Sequence, residues 1–194
     1  MQVDKQLWTR VAEGDQQAYA AVYRFYYRRF YNYGKKFTDD AALIEDSIHE
    51  VLLTIWDKRH TLYAIEHAGT YFYTTFRHAL LQKLKRQNKI VSADHQEGIA
   101  EFGVDQLIIS KETEAHVKEQ LQRALNTLTP RQREAIFLRF YENLPYEQVA
   151  LILDITVKAT YKIVARALSQ LKDNLLLTSV ALLGLLGAHG HNAF

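Results

Sequence analysis

The stretch from Leu125 to Leu171, LNTLTPRQREAIFLRFYENLPYEQVALILDITVKATYKIVARALSQL, leaves few folds open. It reads as three helices. Thr129 stands three residues before Gln132, the capping-box spacing, and Pro130 takes the first helical position, where a missing N–H costs nothing. Ile136, Leu138 and Phe140 give that helix its apolar positions. Asn143-Leu144-Pro145 ends it, because the residue before a proline is pushed out of the helical region. A second short helix, Tyr146 to Leu153, buries Val149, Ile152 and Leu153. Asp154-Ile155-Thr156 is then a tight turn, and Thr156 is a good N-cap for a third helix from about Val157 to Lys172.

That third helix has two faces. Val157, Tyr161, Val164, Leu168 and Leu171 recur at helical spacing and form an apolar stripe for a core. Lys158, Lys162 and Arg166 are spaced four apart and lie roughly 100–180° round from it. A short helix, a tight turn and a longer basic helix make the helix-turn-helix pattern, whose second helix enters the major groove of DNA. Phosphates and base edges are rich in acceptors, which suits Lys, Arg and Thr donors. The competing reading of the three cations is a solvated helix face.

Composition sets outer limits. The 194 residues hold one or two domains, and 48% hydrophobic with 24% charged residues is ordinary for a globular chain. The net charge of +2 is small for a DNA binder, so DNA contact has to come from local patches. Without cysteine there is no disulfide, thiolate metal site or thiol nucleophile. No secretory signal and no apolar run of about 18 residues is found, so a cytoplasmic location is expected. Eight glycines, two prolines and helical spacing throughout predict an all-α fold. No phosphate loop, nucleophile elbow or H-E-x-x-H motif occurs, so neither enzyme activity nor a cofactor, metal or small-molecule substrate is expected.

Taken in order, the chain begins with a short helix over residues 4–13, ended by Gly14, with Asp15 placed to cap the next. From Gln16 to about Phe37 it is rich in aromatics, and Tyr19, Tyr23, Tyr26, Phe30 and Tyr33 repeat at core-packing spacing. Asp39-Asp40 caps a helix from about Ala41 to Lys58. Ile44, Ile48, Val51 and Ile55 are its inward stripe; Glu45, His49, Leu52 and Trp56, beside Asp46, Glu50 and Leu53, mix acid with large apolar groups. Such a face is a protein interface or a second buried side.

Residues 59–69 read as a loop, and Thr70 is placed to cap a helix running to about Lys89, with the stripe Phe72, Phe76, Leu80 and Leu84. Arg77, Lys83, Lys85, Arg86 and Lys89 meet no acid between Ala68 and Ala93. With Tyr71, Tyr73 and His78 interleaved, this patch suits a nucleic-acid strand with unstacked bases; a solvated face is the alternative. Residues 90–111 are acidic and weakly periodic, as a linker would be. Glu112 to Leu128 is helical again, with Val117, Leu121, Leu125 and Leu128 inward. The apolar stretch Leu175 to Gly187 is too short to span a bilayer and reads as packing, oligomer contact or regulator docking. His189 and His191 read as tail rather than as a metal site.

Several of these strings resemble one family. TPRQRE, followed by YEQVA and TVK, is similar to the −35-element-binding domain of sigma-70-type transcription initiation factors, above all the extracytoplasmic-function group. The pattern W-x-x-V-A-x-G-D-x-x-A-Y, the string IEDSIHEVLLTIW and the spacing from Thr70 to Ala79 resemble the same family in the same order. The resemblance implies a two-domain, all-α sigma factor: residues 1–90 bind polymerase core and the −10 element, 91–111 are linker, 112–173 read the −35 element, and 174–194 are tail. It implies core binding to the largest-subunit clamp through Asp46, His49, Glu50, Leu52, Leu53 and Trp56. Tyr71, Arg77, His78, Lys83, Lys85, Arg86 and Lys89 would meet −10 DNA, and Thr156, Lys158, Ala159, Lys162 and Arg166 the −35 element. The flap of the polymerase and an anti-sigma factor are the further partners it implies, and the linker would thread the catalytic cleft.

The sequence departs from the family at the turn, where Asp154 replaces a frequent Gly, at Pro145, where Ser or Thr is common, and at His49, where Gln is usual. It also has Thr74 and Thr75 where housekeeping members carry aromatic wedges. Two rivals stay open: a stand-alone helix-turn-helix regulator, and a sigma-like fold that sequesters a partner.

Overall fold

A computed structural model describes the backbone of residues 5–62, 68–91 and 113–189, and side-chain surroundings over 6–61, 68–87 and 120–174. All the regular structure among the described residues is helical. The helices are α1 (Lys5–Ala12), α2 (Gln16–Gly34), α3 (Ala41–Asp57), α4 (Arg59–Leu62), α5 (Ala68–Val91), α6 (Thr113–Asn126), α7 (Pro130–Ile136), α8 (Tyr146–Leu153) and α9 (Val157–His189), with a π turn at Phe137–Tyr141. They group into two compact units, Met1–Ala100 with Pro145–Thr156, and Glu101–Leu144 with Val157–Phe194.

In the first unit, α2, α3 and α5 pack on one another, α1 lies on α2, and α8 lies against α5. Gly14, at φ 89°, ends α1 after its last turn. Asp15 then caps α2, its carboxylate accepting from the amides of Gln17 and Ala18 at 2.8 and 3.0 Å, while Arg10 donates to it at 2.6 Å. Asp40 caps α3 by accepting from the amide of Leu43 at 3.0 Å. The centre is aromatic: Phe30 stacks on Phe76 at 4.7 Å, Tyr73 meets Phe30 edge-on at 5.3 Å, and Phe72 lies between Trp8 and Tyr26 at 4.8 and 5.2 Å.

Close approach of α2 to α3 depends on Gly34. A Cβ there would lie 2.7 Å from Cγ2 of Ile44 and 3.3 Å from the Phe76 ring. Ile44 is fully buried and β-branched, so its side chain cannot swing aside. Gly34→Ala is therefore expected to destabilise the protein by about 1–3 kcal/mol, although alanine is the better helix former, and urea unfolding reads the change.

Two expectations change in this unit. The loop expected over 59–69 contains the helical turn α4 (residues 63–67 lie outside the described residues). Thr70 caps nothing: α5 begins two residues earlier, at Ala68, and Thr70 is buried.

In the second unit, α7 and α6 pack on α9. The capping box stands as expected: the Thr129 amide donates to Gln132 Oε1 at 2.8 Å, and the Gln132 amide to Thr129 Oγ1 at 3.3 Å. The helix then widens, with the Glu142 amide donating to the Phe137 carbonyl five residues back at 3.0 Å. This extra residue buries Phe137 and Leu138 and turns Phe140, expected inward, out to solvent. The break falls at Asn143, whose φ of 55° lets the Leu144 amide reach the Leu138 carbonyl at 3.1 Å.

Residues 145–156 group with the first unit. Helix α8 is apolar nearly all round from Val149 to Leu153, so its pattern does not specify which neighbour it packs against. Residues 92–111 of the linker and His191 lie outside the described residues. So do the side chains of Val117 and of the apolar stretch from Leu175, although the backbone of α9 continues as helix to His189, well past Lys172. Among the described residues no helix is long and apolar enough to cross a membrane.

Candidate functional site

Three helical surfaces carry the chemistry expected from sequence. The first is the outer side of α3. Ile44, Ser47, Ile48, Val51, Leu52 and Ile55 turn inward, which leaves Asp46, His49, Glu50 and Leu53 exposed, Leu53 to 61%. Leu52 departs from expectation. It is fully buried, because it follows Ile48 by four residues and falls on the core arc, so it supports this face from beneath. Trp56 is half-buried between the Tyr19 ring at 4.7 Å and the Arg59 guanidinium at 4.5 Å.

An aromatic row from α2 borders the same face. Tyr23 and Tyr27 stack at 5.9 Å, and the His49 ring lies 6.3 Å from one and 6.2 Å from the other. Tyr19 donates its hydroxyl to the Leu52 carbonyl at 2.8 Å. Burial, and then the Glu45 carboxylate, raise the pKa of Tyr27; burial, then Tyr23 and Asp57, raise that of Tyr19. The helical spacing of the sequence places Tyr19 and Tyr23 in the core with Tyr26, Phe30 and Tyr33. Only the last three are buried; Tyr19, Tyr23 and Tyr27 recur at intervals of four and form a second, half-buried stripe beside the first.

The second surface is the outer arc of α5, where His78, Lys85 and Arg86 are exposed and Tyr71 and Arg77 are half-buried. Thr74 and Thr75 donate their hydroxyls to the Thr70 and Tyr71 carbonyls at 2.9 and 2.8 Å, so neither side chain forms an apolar wedge. Lys83 departs from the rest. It lies toward α3, with Nζ 2.5 Å from Asp46 and 3.0 Å from Glu50. The hydrogen bond from Lys83 holds the Asp46 carboxyl below its usual range. The side chain of Lys89 lies outside the described residues.

The third surface is the start of α9. Asp154 ends α8 in the left-handed region, φ 54° and ψ 54°, as the turn requires, and the Ile155 amide donates to the Ala150 carbonyl at 3.0 Å. Thr156 precedes the first helical residue, and Lys158, Lys162 and Arg166 are exposed with Ala159 half-buried. The core stripe differs from the expected one. Thr160, Val164, Ala167 and Leu171 are buried, whereas Val157, Leu168 and Tyr161, 50% exposed, face outward. The cations stand opposite the buried arc, on the side of α9 farthest from the core.

Residues 22–90 match the model of Sigma-70 region 2, and residues 118–171 that of Sigma-70, region 4. The two matches take in more than half of the chain, in the family's order. The chain belongs to the sigma-70 family, in its extracytoplasmic-function group. Its function is promoter-specific transcription initiation, with RNA polymerase core and promoter DNA as partners. The family consists of non-catalytic initiation factors.

A curated relative, RNA polymerase sigma factor SigV of Bacillus subtilis (strain 168), is 29% identical over 148 residues, covering 76% of this chain and 80% of its own. Among solved structures, CnrH in complex with the cytosolic domain of CnrY is similar in fold, with a TM-score of 0.57 at 14% identity over 92% of this chain and 99% of that one. The sigma factor RpoE of Bartonella quintana, solved with the anti-sigma factor NepR, gives a TM-score of 0.54 at 19% identity over 77% of this sigma factor and 91% of that chain.

Proposed function

We propose that this sigma factor joins polymerase core through the outer face of α3, lays the exposed arc of α5 along the melted −10 strand and inserts the start of α9 into the −35 major groove. Residues 1–90 and 112–173 serve as the two functional domains, with 91–111 as linker. The chemistry of RNA synthesis belongs to the polymerase, so the chain itself is not an enzyme and works in the cytoplasm where the polymerase is. Structures of like fold hold a second protein, the cytosolic domain of CnrY in one and the anti-sigma factor NepR in the other, and an anti-sigma protein is the further partner we assign.

The carrying observation is the face of α3: three polar side chains, Asp46, His49 and Glu50, beside the outward Leu53, on a helix whose other side is fully packed. An exposed leucine rimmed by charge favours a protein partner over bulk water. Leu53→Asp probes this face without touching a packed residue, whereas Trp56→Ala would also remove one of the ring partners of Tyr19. Both Leu53→Asp and Asp46→Arg are expected to weaken binding to purified bacterial polymerase core by roughly tenfold, read by fluorescence anisotropy of the labelled full chain. Unchanged affinity in both variants would rule out α3 as the core-binding helix.

A further inference from the structure

We propose that Lys83 is a positioning residue for the polymerase-facing acid pair Asp46 and Glu50, not a ligand of promoter DNA. The inference rests on the core-binding reading of α3. By sequence Lys83 belongs to the basic run of α5; around the helix it does not. It follows Leu80 by three residues and Phe76 by seven, and both are fully buried. His78 and Lys85, seven apart, share the opposite, exposed arc. The Lys83 side chain is only 20% exposed, and its Nζ bridges Asp46 Oδ2 and Glu50 Oε2 across the α3–α5 seam.

Asp46 and Glu50 stand four residues apart on one helix, where like charges repel. One ammonium between them removes that repulsion and aims both carboxylates at one point. The bridge engages Oδ2 and Oε2, while the Asp46 and Glu50 side chains stay 73% and 58% exposed. Three charges therefore leave one net negative charge facing solvent, on two carboxylates whose rotamers are already restricted. A cationic group on the partner meets a preformed acceptor pair and orders less on binding. Burial alone would lower the pKa of Lys83, but the bonds it donates to both carboxylates outweigh it and raise it, so the ammonium keeps its proton.

Lys83→Met tests this, because methionine keeps the apolar stem and removes the charge. With full-length protein and purified polymerase core, Lys83→Met is expected to lower affinity about fivefold, Lys83→Arg to restore most of it, and Gln82→Ala, at the exposed neighbouring position, to leave it unchanged. In an Asp46→Asn, Glu50→Gln background, Lys83→Met should have no further effect, a dependence that general loss of packing would not produce. A thermal melt of each variant confirms that the fold persists. Lys83→Met affinity equal to or above that of the unaltered protein, or an effect that simply adds in the double-amide background, overturns the proposal. Leu53→Asp lies outside the bridge and separates the two claims. If it weakens core binding while Lys83→Met does not, only the role of Lys83 falls. If Leu53→Asp and Asp46→Arg both leave core binding unchanged, the reading of α3 falls and takes the positioning role with it.

Discussion

Reversing Lys158, Lys162 and Arg166 together to glutamate is expected to lower holoenzyme affinity for its selected promoters by roughly a hundredfold or more while leaving core binding unchanged. Each phosphate contact releases a counterion, so losing three should flatten the slope of log affinity against log salt by about three. The replacement carboxylates add repulsion from the same phosphates. The three side chains are exposed on the arc opposite the buried Thr160, Val164, Ala167 and Leu171, so reversal leaves the core of this unit intact. Its effect on melting should stay within about 0.5 kcal/mol. The measurement is promoter binding at several salt concentrations, on DNA selected from a randomised pool by the unaltered protein. An unchanged affinity and slope would mean that the three cations are a solvated face, and that α9 is not the reading helix.

What could be read from sequence followed from how local the cause was. The caps at Asp15, Asp40 and Thr129 and the left-handed Asp154 each depend on a few neighbouring residues, and each stands where the residue types place it. The core stripe of α9 is not legible from its large apolar residues, because two of its four buried positions are small. Both candidate stripes contain Val164 and Leu171; they differ in whether Tyr161 and Leu168 or Thr160 and Ala167 turn inward. The small pair is the buried one, which lets neighbouring helices approach closely. Phe140 failed for another reason: the π turn adds a residue that a fixed advance of about 100° cannot contain. Lys83 shows the limit of counting charge along the chain, since its partners lie 37 and 33 positions away on another helix. The face of α3 was legible in its acids and in Leu53, but its aromatic border comes from α2 and depends on packing across the α2–α3 seam.

Phe30→Ala is expected to cost about 3–5 kcal/mol, the largest single-residue effect on stability we predict. Phe30 has no exposed surface, stacks nearly parallel on Phe76 at 4.7 Å, meets Tyr73 edge-on at 5.3 Å and lies 5.2 Å from Tyr26. Truncation removes the transfer energy of the ring and leaves a cavity that its aromatic neighbours are too rigid to fill. Against the usual 5–15 kcal/mol of a folded domain this is a large fraction, so urea unfolding of the variant should begin at markedly lower denaturant. Phe30→Leu, which fills part of the space, should cost less. The loss also carries a functional signature. Phe30 joins α2 to α5, and α5 in turn holds α3 through the bridge from Lys83 to Asp46 and Glu50. Core binding should therefore fail in partial denaturant before the isolated helix content does, because the α3 face keeps its shape only while the α2–α5 seam stays closed. A cost below about 1 kcal/mol would mean that the ring stack is incidental and that the seam is held by the aliphatic residues of α3 instead.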